Sequence, residues 1–224
     1  GVAEVPYFID HATALEIAAK SLLQLGSEDV PLDQAHGRVL SHDIASRVDD
    51  PPFDNSAMDG FAFMHEDSLH PPCSLEIIQT VQAGDTNTTQ TLQTGQATRI
   101  MTGAPMPPGA TSILPIERCE VDSLGQTVTL LEQGRPHFIR KQGENLEKNQ
   151  VALTRGLNLT PSKIGLCATM GWPYVPVFKR ARIGILSTGD ELKFPGEKLE
   201  PHQIYESNSF GLSGLVEWMG HDAV

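Results

Sequence analysis

Two carboxylates stand five residues apart in the run Asp54-Asn55-Ser56-Ala57-Met58-Asp59-Gly60-Phe61-Ala62-Phe63, among small residues. Carboxylates presented by a loop at a cleft can hold a divalent cation or place charge beside a reacting group. The plainer alternative is a solvated turn, with Asp54 or Asn55 closing an Asx-turn and Gly60 at positive φ. A second run, RIMTGAPMPPGA from Arg99 to Ala110, carries a strand into a Thr-Gly turn and a Pro-rich loop. There the Thr102 hydroxyl and the amides near Gly103 could face an anion as backbone nests do. A rigid hairpin connection would use the same residues. The third run is Ser187-Thr188-Gly189-Asp190-Glu191-Leu192, directly after an apolar strand. Small and hydroxyl residues at the carboxyl end of a parallel strand sit where open α/β sheets bind ligands. Asp190 or Glu191 could hold a divalent cation through oxygen, or the run could be a plain strand-to-helix connection. In FIRKQGEN, Arg140 and Lys141 flank a Gly turn, as a local basic patch or as ordinary surface charge. The eight histidines show no HxH or HExxH spacing, so no zinc site is assigned. GxxxxGK[ST] is absent, and GLSG at Gly211 falls on a helix, so no phosphate loop is read.

Several elements must position these runs. Residues 8–25 predict an amphipathic helix with Leu15, Ala18, Ala19 and Leu22 on one face, a Thr13/Glu16 capping box and a stop at Gly26. A short segment, Val30 to Ser41, follows with a turn at Gly37. Residues 49–60, DDPPFDNSAMDG, cannot be a regular helix because Pro51 and Pro52 lack amide donors, and they mark a domain boundary. From Phe61 to Ile139 the texture is β-like. SLEIIQTVQAG, QATRIMTG, TSILPIERCE and QTVTLLEQG are candidate strands of a small β-rich domain or barrel. Thr160 and Pro161 open a helix over Lys163 to Met170, with an extended exit over Tyr174 to Val177. Arg182 to Leu186 reads as a buried strand, Asn208 to Met219 as a helix on Leu212, Leu215 and Val216, and the final Asp-Ala-Val as another strand's start. Half a βαβ unit at the end implies a fragment of a longer protein, with the strand at 182–186 left without sheet partners.

Composition narrows the function classes. The 224 residues carry 16 Lys+Arg and 28 Asp+Glu, a net charge of −12, which argues against a nucleic-acid surface. Hydrophobic residues at 39% and charged residues at 20% give enough apolar content for packed cores. No apolar run spans a bilayer, no charged-then-apolar leader is visible, and the start at Gly1 points to a processed or cut N-terminus. Three scattered cysteines, Cys73, Cys119 and Cys167, fit a reducing compartment, which places the protein in the cytoplasm.

In their order, DNSAMDGFAF, AGDTNTTQTLQTGQATRIMTGAPMPPGATSIL, RKQGENL and RIGILSTGDELKFPGEKLEPHQIYESNSFGL resemble the MoeA family of molybdopterin molybdenumtransferases, which is related to the C-terminal region of gephyrin. The resemblance covers nearly the whole chain. It implies an elongated α+β multidomain fold. Residues 1–27 would hold a helix packing with the α/β domain, 28–50 and 140–179 a mixed linker domain, 51–139 the β-rich inserted domain, and 180–224 the truncated start of the molybdopterin-binding α/β domain. The implied activity inserts molybdenum from molybdate into adenylylated molybdopterin, releases AMP and uses Mg²⁺. The implied assembly is a homodimer with shared sites. Asp59, Thr102 and Glu191 match the catalytic positions. Asp59 and Glu191 match metal ligands, and Ser187, Thr188, Gly189, Asp190 and Gly103 would bind substrate. The chemistry suits the residue types, because adenylyl cleavage needs phosphate charge neutralised and molybdate is an oxyanion that hydroxyl and amide donors can bind. Gly143-Glu144-Asn145 departs from the family's frequent Gly-Glu-Asp. With most of the pterin pocket missing, the fragment alone is expected to be inactive. A non-catalytic dimeric scaffold with the same fold is the alternative.

Overall fold

The computed structural model describes residues 8–85 and 90–224; Thr86 to Thr89, in the middle of the AGDTNTTQ run, lie outside the described residues. In chain order the first part comprises α1 (His11–Lys20), β1 (Ser27–Pro31), β2 (Ile44–Ala45), β3 (Asn55–Ser56), β4 (Gly60–Phe63), β5 (Cys73–Val81), β6 (Gln96–Ile100), β7 (Ser112–Pro115), β8 (Cys119–Val121), β9 (Thr127–Leu130) and β10 (Ile139–Arg140). The remainder comprises β11 (Val151–Leu153), α2 (Pro161–Thr169), β12 (Tyr174–Phe178), β13 (Arg182–Ile183), β14 (Leu192–Lys193), β15 (Ile204–Tyr205), α3 (Asn208–Trp218) and β16 (Asp222–Ala223). Among the described residues these elements fall into two units, one of residues 8–42, 155–164 and 174–224, the other within 43–154 and 165–173.

The second unit is built on a six-stranded sheet in the order β7-β4-β6-β5-β9-β8, antiparallel except for the β5/β6 pair. All four candidate segments supply its strands. The strand that alternation does not reveal is β4, Gly-Phe-Ala-Phe, whose every residue is buried. Its two faces explain why. Phe61 and Phe63 pack with Leu75, Ala97, Leu114, Val128 and Leu130 on one side, while Ala62 packs with Val81, Ile100, Ala104, Ile113 and Ile139 on the other. A strand covered on both faces shows a continuous apolar run rather than alternation. Because β4 lies between β6 and β7, the RIMTGA run is no hairpin connection; the chain leaves β6 and returns on the far side of β4. Gly60 does not take the positive φ of a turn residue either. It is required because a Cβ there would lie 2.1 Å from the Leu114 carbonyl oxygen on β7.

In the same unit β3 pairs with β10, and β2 with β11. Carboxylates reinforce the join. Asp54 accepts from the Gln142 amide (2.8 Å) and the Lys141 ammonium (2.8 Å), and Asp49 accepts from the Lys148 amide (2.7 Å) and the Gln142 side chain (2.7 Å). Lys141 is therefore paired rather than part of a free basic patch. Asn145, at the position where the family often has Asp, donates to Asp50 Oδ2 at 3.2 Å, a bond that a carboxylate could not make.

In the first unit, β1 pairs antiparallel with β12 and buries Val30, Val175 and Val177 with Leu40 and Leu159. The first helix is shorter than its periodicity predicts. Asp10, not Thr13, is the N-cap, accepting from the Thr13 amide (2.9 Å) and hydroxyl (3.0 Å). It ends where the Ser21 hydroxyl donates back to the Ile17 carbonyl (2.8 Å), well before Gly26. No residue of α1 is buried. The strand predicted over Arg182–Leu186 is only Arg182–Ile183, and it is exposed rather than buried. It does have a partner: β16 lies parallel to it, with Arg182 opposite Asp222 and Ile183 opposite Ala223. The run that follows does not enter a helix; it turns into β14, which pairs parallel with β15.

Candidate functional site

Asp59 is the residue before β4, so a strand buried at every residue fixes its backbone. Its carbonyl oxygen accepts from the Ile116 amide at 3.0 Å. Just upstream, the fully buried Ser56 donates through Oγ to the Met58 carbonyl (2.5 Å). Ser56 also holds the second run in place: its carbonyl accepts from the Gly103 amide (2.8 Å) and its amide donates to the Ala104 carbonyl (3.0 Å). This stitching brings together two residues 43 positions apart in sequence, since Asp59 Oδ1 accepts from both the Thr102 amide (2.6 Å) and the Thr102 hydroxyl (2.7 Å). Charge-assisted bonds of this length are strong. They hold the Asp59 carboxyl below the ordinary carboxylate range, with a smaller contribution from the Arg99 guanidinium. The carboxyl is solvent-exposed, and Oδ2 has no protein donor among the described residues. The expected anion-binding amides are thus occupied by the chain's own groups: Thr102 serves Asp59, and Gly103, at φ +80°, serves Ser56. Arg99 was not singled out from the sequence. The signal that could have found it is its place three residues before Thr102 of the Thr-Gly turn, on the strand antiparallel to β4.

The third run lies in the other unit, together with a cavity of about 320 Å³ lined by Ser187, Gly189, Lys193, Phe194, Glu206 and Ser209, among others. Ser187 and Gly189 face this cavity, whereas Thr188, Asp190 and Glu191 are exposed and do not line it. The Leu192 amide closes the turn onto the Gly189 carbonyl (3.1 Å), and the Glu191 carbonyl accepts from the Ile204 amide (2.8 Å). Lys193 supplies a cation to the cavity wall, and Glu206 is a buried carboxylate there. Sequence reasoning passed over both. Lys193 is two residues beyond Glu191, and Glu206 precedes the Ser-Asn pair that opens α3.

For a divalent cation, the donor chemistry fits only in part. No group of three or more His, Cys, Asp or Glu residues is close enough to hold a metal among the described residues. Asp59 offers one unoccupied carboxylate oxygen. A single carboxylate is sufficient where substrate phosphates and waters complete an octahedral Mg²⁺ shell.

The family model described as "MoeA N-terminal region (domain I and II)" matches residues 9–171. The chain is 42% identical over 198 residues to molybdopterin molybdenumtransferase 2 of Mycobacterium tuberculosis (strain H37Rv), covering 85% of this chain and 48% of that protein. It is 35% identical over 206 residues to the molybdopterin molybdenumtransferase of a Nostoc species, covering 90% of this chain and 47% of that one. Among solved structures, the molybdopterin biosynthesis moeA protein of Pyrococcus horikoshii OT3 superposes with a TM-score of 0.85 at 32% identity, over 95% of this chain and 57% of that one. The chain spans about half the length of the curated relatives it matches.

Proposed function

This chain belongs to the MoeA family, and on that premise we propose that the full-length protein is a molybdopterin molybdenumtransferase acting in molybdenum cofactor biosynthesis. It takes molybdenum from molybdate into adenylylated molybdopterin and releases AMP. The observation that carries this reading is the Asp59 carboxylate, gripped by Thr102 and within the electrostatic reach of Arg99, at the head of β4, which lies between β6 and β7. Thr102 fixes both the ionisation and the orientation of Asp59, so that Oδ2 faces solvent as a placed negative charge. Arg99 supplies positive charge that attracts an oxyanion such as molybdate or a phosphate. Gly189 and Lys193 offer an open backbone and an ammonium to the phosphate-bearing substrate, on a loop whose Ser187 hydroxyl is held by Glu206. Asp59, through Oδ2, would hold Mg²⁺ together with substrate phosphate oxygens and water, and that ion would neutralise phosphate charge as the adenylyl bond breaks. We further place the protein in the cytoplasm as a homodimer whose subunits share sites. No helix among the described residues is long and apolar enough to cross a membrane.

The test is molybdenum insertion into adenylylated molybdopterin by full-length protein, with and without Mg²⁺, comparing wild type with Asp59→Asn. Wild-type turnover and loss of about a hundredfold or more in the variant, with a nearly unchanged melting temperature, are expected for an electrostatic role of this kind. Undiminished turnover by Asp59→Asn would overturn the assignment.

A further inference from the structure

We propose that Glu206 is a positioning residue that ties the Ser187–Glu191 loop to the N-terminus of α3 and so presents the loop in its substrate-receiving shape. The inference rests on the functional reading above for its link to substrate, but its geometry is independent of that reading. Glu206 is only 5% exposed, yet no Lys, Arg or His forms an ion pair with it among the described residues. Burying a carboxylate without a partner is costly, so its bonds must compensate. Three of them do. Oε1 accepts from the Ser187 hydroxyl (2.8 Å) and the Ser209 amide (2.7 Å), and Oε2 accepts from the Ser209 hydroxyl (2.6 Å). Donation from the first turn of α3 also uses the partial positive charge of a helix N-terminus. Together these donors keep the Glu206 carboxyl below its ordinary range, led by Ser209 and then Ser187.

A simple helix cap would need only the Ser209 bonds. Two further contacts exceed that role. Ser187 belongs to the loop before β14, and the Glu206 amide donates to the Lys193 carbonyl at 2.8 Å, on β14 itself. One residue therefore binds the start of the loop, the strand after it and the helix beyond. Ser187, Gly189, Lys193, Glu206 and Ser209 all border the same cavity of about 320 Å³. The carboxylate accepts from Ser187 and Ser209, so its role is to orient the loop and not to contact substrate phosphate.

Two variants of full-length protein separate positioning from capping. Ser187→Ala removes only the loop side of the junction, while Glu206→Ala removes both sides. The reporters are hydrogen exchange at the Leu192 amide, bonded to Gly189, and the Ile204 amide, bonded to Glu191, alongside KM and kcat for adenylylated molybdopterin. Loss of the Ser187–Glu206 hydrogen bond, common to both variants, is expected to raise exchange at both amides about tenfold, and KM by a similar factor. The kcat should stay within about threefold, because the change falls on ground-state and transition-state binding alike. If exchange rises only in the first turn of α3, or if Ser187→Ala leaves Leu192 and Ile204 unchanged, Glu206 is a helix cap and the proposal fails. Should Glu206→Ala not fold, Ser187→Ala still decides. If wild type inserts no molybdenum, the functional reading fails instead, and the exchange data still report on Glu206.

Discussion

Replacing Gly60 with alanine tests whether sheet geometry, rather than turn conformation, demands glycine beside Asp59. The added Cβ would stand 2.1 Å from the Leu114 carbonyl oxygen and 3.0 Å from the Cα of Pro115. Carbon and oxygen on neighbouring strands ordinarily approach no closer than about 3.3 Å. The β7 backbone must therefore retreat by roughly 1.2 Å, which stretches a hydrogen bond of about 2.9 Å past the distance at which it counts as one. Losing one or two ladder bonds at about 1 kcal/mol each, plus about 1–3 kcal/mol of overpacking strain, gives a destabilisation of about 3 kcal/mol. For a cooperatively unfolding unit of about 150–250 residues that lowers its Tm by about 6–12 °C. Calorimetry or circular-dichroism melting of full-length protein is the assay. Gly211→Ala is the control, since a Cβ there meets nothing within 4 Å on the exposed helix α3. It should be neutral or stabilising by up to about 1 kcal/mol. A Tm drop below about 2 °C for Gly60→Ala, or parity with Gly211→Ala, would refute the reasoning.

Thr102→Val removes the hydroxyl donor to Asp59 while keeping side-chain shape. Asp59 should then titrate at higher pH, moving the acid limb of the activity profile upward, as NMR titration of the carboxyl would register. Asp49, Asp54 and Asp59 are all held below the ordinary carboxylate range, by the Lys148 amide, the Lys141 ammonium and the Thr102 amide respectively. Because their folded pKa values are depressed, their stabilisation is complete above the unfolded value of about 4 and is lost as pH falls below it. Acid titration of Asp49→Asn should show a shallower loss of stability than wild type. Cys119, pushed up to about 12 by burial and then by the nearby Glu117, should resist alkylation by iodoacetamide at pH 8 in the native protein and react once denatured, as mass spectrometry would show.

Much of the fold was legible where one rule governs one segment. Short alternating runs between Gly and Pro clusters gave β5 to β9, and Pro161 and Gly220 marked helix limits in α2 and α3. The misses came where tertiary context overrides a local rule. Gly-Phe-Ala-Phe lacks alternation because both faces of β4 are covered, and Arg182–Leu186 is apolar enough to read as buried, yet only two of its residues pair and both are exposed. At the α1 start, Asp10 and Thr13 are both competent caps, and only the backbone angle of Asp10 decides between them. For the site, no spacing rule joins Asp59 to Thr102; the ordered motifs named both, and the Ser56 stitching explains their contact. Glu206 escaped notice because its partners lie 19 and 3 residues away, one across a loop and one in a helix.

The pairing of β3 with β10 places Ser56 opposite Ile139 and Asn55 opposite Arg140. Directly opposed antiparallel residues lie about 4.5–5.5 Å apart at Cα, which is the gap that a two-residue reverse turn closes. The whole stretch from Ala57 to Phe138, with its six-stranded sheet and both hydrophobic layers, therefore hangs from the tip of what would otherwise be an ordinary hairpin. Covalently the stretch enters and leaves at one point, but Gly103, Ala104 and Met106 also bond back to Ser56 and Asp54, so the flanking hairpin and the sheet form one unit. Splicing Ser56 to Ile139 through Asn-Gly would leave the β2/β11 pair and the Asp49 bonds to Gln142 and Lys148 in register. Remodelling the Asp59 neighbourhood therefore touches two covalent junctions and the Ser56 bonds to Gly103 and Ala104.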